Sequence, residues 1–180
     1  MQNSLSQILV DEHNIIIEAG MLINLNDRLW ESNPSEYERY VNNLLGFFSV
    51  YADEFHHQKE EEILFPAISR KNDIVGGSIV QELIEHHEDF RQLIQQIHKA
   101  LSANDFVSVQ KYLGTYFDKL KDHIAVENDE LFPMAEELFT KEESDKLYFK
   151  CVDKDRELCL SRKEELENFI KNLRRNEAVK

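Results

Sequence analysis

The stretch HHQKEEEILFP, from His56 to Pro66, sets two histidines ahead of three glutamates in one helical run, and HIAVENDELFP, from His123 to Pro133, repeats its spacing. A constant offset of 67 superposes His56 on His123, Glu60 on Glu127, Leu64 on Leu131, Phe65 on Phe132 and Pro66 on Pro133. A histidine and a glutamate four residues apart share a helix face, about 6 Å apart along the axis, so both reach one bound ion. Each pair interrupts an apolar stripe: Leu45, Phe48, Ala52, His56, Glu60, Ile63 and Ala67 in the first copy, Leu113, Tyr116, Leu120, His123, Glu127, Leu131 and Met134 in the second. A buried carboxylate costs several kcal/mol unless it is paired or bound to metal. No lysine or arginine falls on either seam, so a cation is the natural partner.

Depth gives an independent test. His13 lies about ten residues into the first helical segment, His56 ten before Pro66, His87 nine after Ser78 and His123 ten before Pro133. In an up-down-up-down bundle these ends share one pole, which puts all four histidines about 15 Å in from it. Neutral imidazoles and carboxylates without thiolate suit iron, manganese or zinc, and ligands enough for two ions approach the open two-His-one-carboxylate pattern of non-haem iron. The candidate ligands are His13, His56, Glu60, His123 and Glu127, joined by His86 or His87, since stripes through Leu83 and Phe90 accommodate either. A lone inward histidine is more often a hydrogen-bonded core residue, and only the constellation argues for metal. His57 and Glu61 form a competing pair on the adjacent face. The repeat and the proline register select His56 and Glu60, which leaves His57 outside the expected ligand set. Glu62, Glu85, Glu88 and Glu130 read as a solvated acidic surface, and His98 lies too far along its helix to share an ion with His87.

The elements that must position these residues are helices. Only 5 Gly and 3 Pro occur in 180 residues, and apolar residues recur at three- and four-residue steps, so the expected class is all-α. A first helix runs from about Leu5 to Trp30. Asn33, Pro34 and Glu36 open a second, expected to kink or end near Pro66. Ser78 with Gln81 resembles a capping box for a third, reaching about Leu101, and Phe106 to Phe139 form a fourth. Thr140 to Glu143 opens one more polar helix to about residue 174. The expectation is an antiparallel up-down-up-down four-helix bundle over residues 1–139, with a C-terminal helical extension over 140–180 packed on the bundle or mediating association.

The formal charge of -14 argues against nucleic acid, and the one basic cluster is the short tail NLRRNEAVK. No segment approaches about 18 uninterrupted apolar residues and no export signal opens the chain, so neither membrane nor secretion is expected and the cytoplasm is the expected compartment. Cys151 and Cys159 lack a redox or zinc spacing and read as reduced packing residues.

Between about Leu5 and Leu138 the chain resembles the hemerythrin-like HHE cation-binding family, and its two H-x-x-x-E segments ending in L-F-P look most like those of bacterial di-iron proteins of the iron-sulfur cluster repair type. The resemblance implies a four-helix bundle holding two non-haem iron ions bridged by oxygen and two carboxylates. It matches His13 to the first-helix ligand, His56 with Glu60 to the second-helix pair and His123 with Glu127 to the fourth. Family members often carry an arginine four residues after the third-helix ligand. Arg91 stands in that relation to His87, which favours His87 over His86. Oxygen carriers of the family use a further histidine on the third helix. Here Arg91 follows His87 at that spacing and Phe90 follows His86, so a simple oxygen carrier is not implied. The expected function is a di-iron protein that binds or senses O2, NO or peroxide, serving iron homeostasis or the protection of iron centres, with a redox or client protein as a further partner. The alternatives are a di-iron peroxidase or NO reductase, and an iron-dependent interaction module.

Overall fold

The computed structural model describes residues 4–177 and is helical throughout, with no strand among the described residues. The last residues of the basic tail, 178–180, lie outside them. Helix α1 spans Leu5–Leu22 and is capped by Ser4, whose hydroxyl accepts from the Gln7 amide. It stops eight residues short of Trp30, which sits in a separate turn, Leu29–Ser32. Asn24, Asn26 and Asp27 fill the gap, and such side chains compete with helix by bonding nearby backbone.

Helix α2 covers residues 34–71, built from Pro34–Phe47, π-helical stretches Phe48–His57 and Glu60–Leu64, and Phe65–Lys71. Its start follows the sequence: Pro34 takes the first turn and the Asn33 side chain accepts from the Glu36 amide. Pro66 does not end it. Proline has no amide hydrogen and crowds the carbonyl four residues back. The turn before it is wound wider, with the Phe65 amide reaching the Glu60 carbonyl.

Helix α3 covers residues 73–102, as Asp73–Val75, a π-helical turn Gly76–Val80 and Gln81–Ser102. It starts five residues earlier than the expected Ser78. Asn72 is the cap, accepting from Ile74 and Val75, while the Ser78 hydroxyl donates to the Ile74 carbonyl. The glycines allow a close corner instead of a break: a Cβ on Gly76 would sit 2.8 Å from the Ser69 Cα.

Helix α4 covers residues 106–138 and repeats the device of α2, with a π-helical Glu127–Leu131 whose end bonds the Phe132 amide to the Glu127 carbonyl ahead of Pro133. The C-terminal extension holds two helices instead of the single one expected, α5 at Lys141–Glu157 and α6 at Leu160–Glu177. Thr140 and Glu143 form the anticipated capping box. Cys159, at φ 78°, turns the chain between the two helices. Cys151 is buried, whereas Cys159 is exposed, its Sγ 3.2 Å from the Ser161 hydroxyl.

The core is two apolar clusters. One joins Ile16, Leu45, Phe48, Phe90, Ile97, Leu113, Tyr116 and Ile170 of α6; the other joins Leu9, Leu64, Phe65, Leu83, Leu131, Phe132 and Cys151 of α5. The histidines and glutamates lie between them in chain position on each of α1 to α4, so the polar layer divides the core. Within the first cluster α1 presses on α4 at Gly20, where a Cβ would meet the Phe117 ring at 2.1 Å. Gly20→Ala is expected to cost about 1–3 kcal/mol through overpacking. Thermal melting would read this as a Tm loss of about 2–4 °C per kcal/mol.

Candidate metal centre

Wide winding aims the chemistry of α2. An α-helix turns about 100° per residue, whereas i to i+5 bonding advances less per residue and lets neighbours point more nearly together. In Phe48–His57 both His56 and His57 are buried. One turn on, Glu60 is fully buried, as is Glu127 on α4. His13 from α1, His87 from α3 and His123 from α4 are buried at the same level.

The distances divide these side chains into two groups with common members. His13, His56, Glu60 and Glu127 hold ligand atoms within 4.8 Å of one another, and so do His87, His123, Glu60 and Glu127. Glu60 spans the groups, with Oε1 3.4 Å from His56 Nε2 and Oε2 3.5 Å from His87 Nε2. Glu127 does the same through Oε2, 3.1 Å from His13 Nε2 and 3.3 Å from His123 Nε2. The two clusters thus have both carboxylates in common, a donor arrangement suited to binding cations.

The outward faces of the imidazoles are held by Asn128 and Glu12, which the sequence did not single out, and by Glu61, which it had paired with His57 instead. His13 Nδ1 is 2.9 Å from the Asn128 side-chain Oδ1, His56 Nδ1 2.9 Å from Glu12, and His87 Nδ1 2.7 Å from Glu61. A ring that donates from Nδ1 presents Nε2 as an acceptor, and each of these Nε2 atoms faces the glutamates. Glu12 is itself held by Lys59 and Lys163, which also bond Asp155 at 2.8 and 2.5 Å. Lys59 is 0% exposed, a buried lysine that lies off the seam next to Glu60. Its ammonium turns to Glu12 and Asp155 and leaves Glu60 and Glu127 without a cation. Glu12→Gln keeps the shape but weakens the hold on His56 and is expected to lower metal affinity about 10–100-fold, read by competition with a chelator of known affinity.

Burial dominates the electrostatics. It pushes the Glu127 carboxyl up to about 8 and raises Glu60 well above the carboxylate range, with the neighbouring Glu127 adding to the effect. It drives His56 and His123 well below 6.5 and His87 down to about 3. Without a cation the site therefore holds neutral imidazoles and carboxyls that resist ionising.

The structure brings together His13, His56, Glu60, His87, His123 and Glu127. His86 stands at the rim, half-buried, with Nδ1 3.4 Å from Nδ1 of His123. His98 is exposed. His57, which the repeat left aside, is buried against His87, with ring centroids 3.9 Å apart. Among the described residues, six buried side-chain polar atoms make no hydrogen bond: His13 Nε2, His56 Nε2 and all four carboxyl oxygens of Glu60 and Glu127. Native interiors rarely leave such atoms unpaired, and all six face one another. Bound cations fit that donor set.

The model of the hemerythrin HHE cation-binding domain matches residues 4–135, the span of α1 to α4 that carries the layer. No curated protein and no solved structure matches the chain.

Proposed function

Because the chain belongs to the hemerythrin HHE cation-binding family, we propose that the layer holds two iron ions and that the protein binds or senses a small ligand, O2, NO or peroxide. The observation that carries this reading is the pair of ligand groups sharing Glu60 and Glu127. Bound iron would supply redox chemistry and coordination positions open to a small molecule. The chain supplies the rest. Its glutamates balance cationic charge inside an apolar core, its imidazoles are neutral and ready to coordinate, and Asn128, Glu12 and Glu61 fix their orientation. A cavity of about 190 Å³ lined by Phe48, Asp53, His57, Phe90, Arg91 and Tyr116 adjoins the layer. It falls below the roughly 300–1,000 Å³ of sites for larger organic ligands, which supports a small ligand.

No described helix is long and apolar enough to cross a membrane. The test is metal content per chain, with absorption spectra recorded after anaerobic Fe(II) loading and again after NO or air. About two irons per chain and a ligand-dependent spectrum support the reading. Failure to retain iron under those conditions would overturn it. Steady turnover with a reductant would identify the peroxidase or NO reductase alternative instead of reversible binding.

A further inference from the structure

A cavity of about 260 Å³ lies between the last turns of α2 and the first half of α5, and none of the candidate metal ligands lines it. Its cations are Arg70, Lys71, Lys146 and Lys150. Four of the chain's 21 lysines and arginines thus meet one acid, Glu143, in a protein of formal charge -14. They come from two elements far apart in sequence, which is why no basic run marks them. The apolar lining is Phe139 with Ala67 and Leu147, the last two buried. We propose that this cavity binds a small organic anion, a compact apolar body carrying a carboxylate or phosphate group.

The pairing around the cavity leaves positive charge over. Glu143 is taken by Lys71, whose Nζ lies 2.7 Å from Oε1 and 2.9 Å from Oε2. Among the described residues the side chains of Arg70, Lys146 and Lys150 make no hydrogen bond or ion pair. A helix C-terminus attracts cations, which accounts for Arg70 and Lys71 in the last turn of α2. It does not account for Lys146 and Lys150, which lie in the body of α5, four residues apart on one face, where like charges repel. A bound anion relieves that repulsion and gives the unpaired cations a partner. Arginine grips a carboxylate or phosphate through two parallel N–H bonds, and the lysines add point charge. The apolar lining calls for carbon as well as charge. The volume, just under the roughly 300–1,000 Å³ of sites for drug-sized molecules, calls for a compact body.

Calorimetric titration of the full chain with 1-naphthyl phosphate, 1-naphthol and inorganic phosphate tests the assignment. The expected result is one 1-naphthyl phosphate per chain, bound about tenfold or more tightly than either fragment, with an affinity that falls as salt rises. Lys146→Gln combined with Lys150→Gln should weaken that binding about tenfold or more. Lys141→Gln, the same kind of charge change outside the cavity, should leave it within about twofold. All three lysines are exposed, so the variants should keep the wild-type Tm. Protein stripped with a chelator should bind equally well, which separates this outcome from that of the metal reading. No binding by the wild type, equal binding of 1-naphthol, or undiminished binding by the double variant would each overturn the proposal. Capture on phosphatidylglycerol vesicles without any response to the dissolved probe would make the patch a membrane surface and overturn it too.

Discussion

Glu127→Gln is expected to empty both ion positions, whereas His56→Ala empties one and leaves the group around His87 and His123. The difference follows from sharing: Glu127 Oε2 lies 3.1 Å from His13 Nε2 and 3.3 Å from His123 Nε2, so it serves both groups, while His56 serves one. The loss should exceed the roughly 10–100-fold that removal of an outer partner costs. The same substitution has little to disturb in the metal-free protein. Burial already keeps the Glu127 carboxyl protonated up to about 8, so a neutral amide of the same shape replaces a neutral acid near pH 7. An ion present at about 1,000 times its Kd stabilises the folded state by about 4 kcal/mol. For a chain of this size each kcal/mol moves Tm by about 2–4 °C. The metal-loaded wild type should thus melt about 8–16 °C above metal-loaded Glu127→Gln per ion lost, while the two metal-free proteins melt together. Two ions per chain in Glu127→Gln would show that the carboxylates do not bridge.

Metal affinity should rise with pH from about 5 to about 8, and the carboxyls set that range. Considered alone, histidine ligands place the acid loss of metal below about pH 6, where free imidazole protonates. In the folded protein burial has already carried His87 down to about 3 and His56 and His123 well below 6.5, so these rings are neutral across that range. The groups that must give up protons are Glu127, raised to about 8, and Glu60, raised well above 4.5. Binding therefore releases protons, and affinity climbs by up to one decade per pH unit for each carboxyl still protonated. The metal-free protein shows the opposite trend on the alkaline side. A carboxyl raised in the folded state contributes stability that is full below about 4.5 and is lost as pH climbs through about 8. A histidine lowered in the folded state contributes stability that is full above 6.5 and is lost as pH falls toward about 3. Metal-free Tm should peak near pH 6.5 and decline toward 8, while the metal-loaded protein holds its Tm. Thermal melts with and without chelator across that range would read the widening gap. A gap that narrows as pH rises would contradict the carboxyl assignment.

The parts of this site visible in the sequence are those carried by repetition and period. The offset between His56, Glu60, Pro66 and His123, Glu127, Pro133 located two helices and their inward faces, and the Asn33 and Thr140 caps have local chemistry that reads directly. Contacts between helices leave no such mark. Glu12 and Asn128 sit beside ligands in sequence yet serve other helices, Glu12 on α1 holding His56 of α2 and Asn128 on α4 holding His13 of α1. Lys59 has the neighbours of a surface residue and the burial of a core one. His57 was set aside because the repeat and the proline register select His56 and Glu60, and its burial arises from packing against α3. The signal for wider winding was present in Pro66 and Pro133, which remove an amide from the regular ladder, but nothing in the sequence fixes how far back the widening extends. The left-handed Cys159, which splits the extension in two, has no local sequence signature either.

The quartet of Glu12, Lys59, Asp155 and Lys163 draws on α1, α2, α5 and α6, the last two lying beyond the family match that ends at residue 135. The unit of homology is consequently smaller than the unit of folding. A fragment cut at the family boundary would keep all six candidate ligands yet strip Lys59 of Asp155 and Glu12 of Lys163, weakening the grip on His56. During synthesis the same dependence imposes an order of events. Asp155 and Lys163 emerge after all six candidate ligands, so the hold on Glu12, and through it on His56, is completed only after the ligands themselves are made.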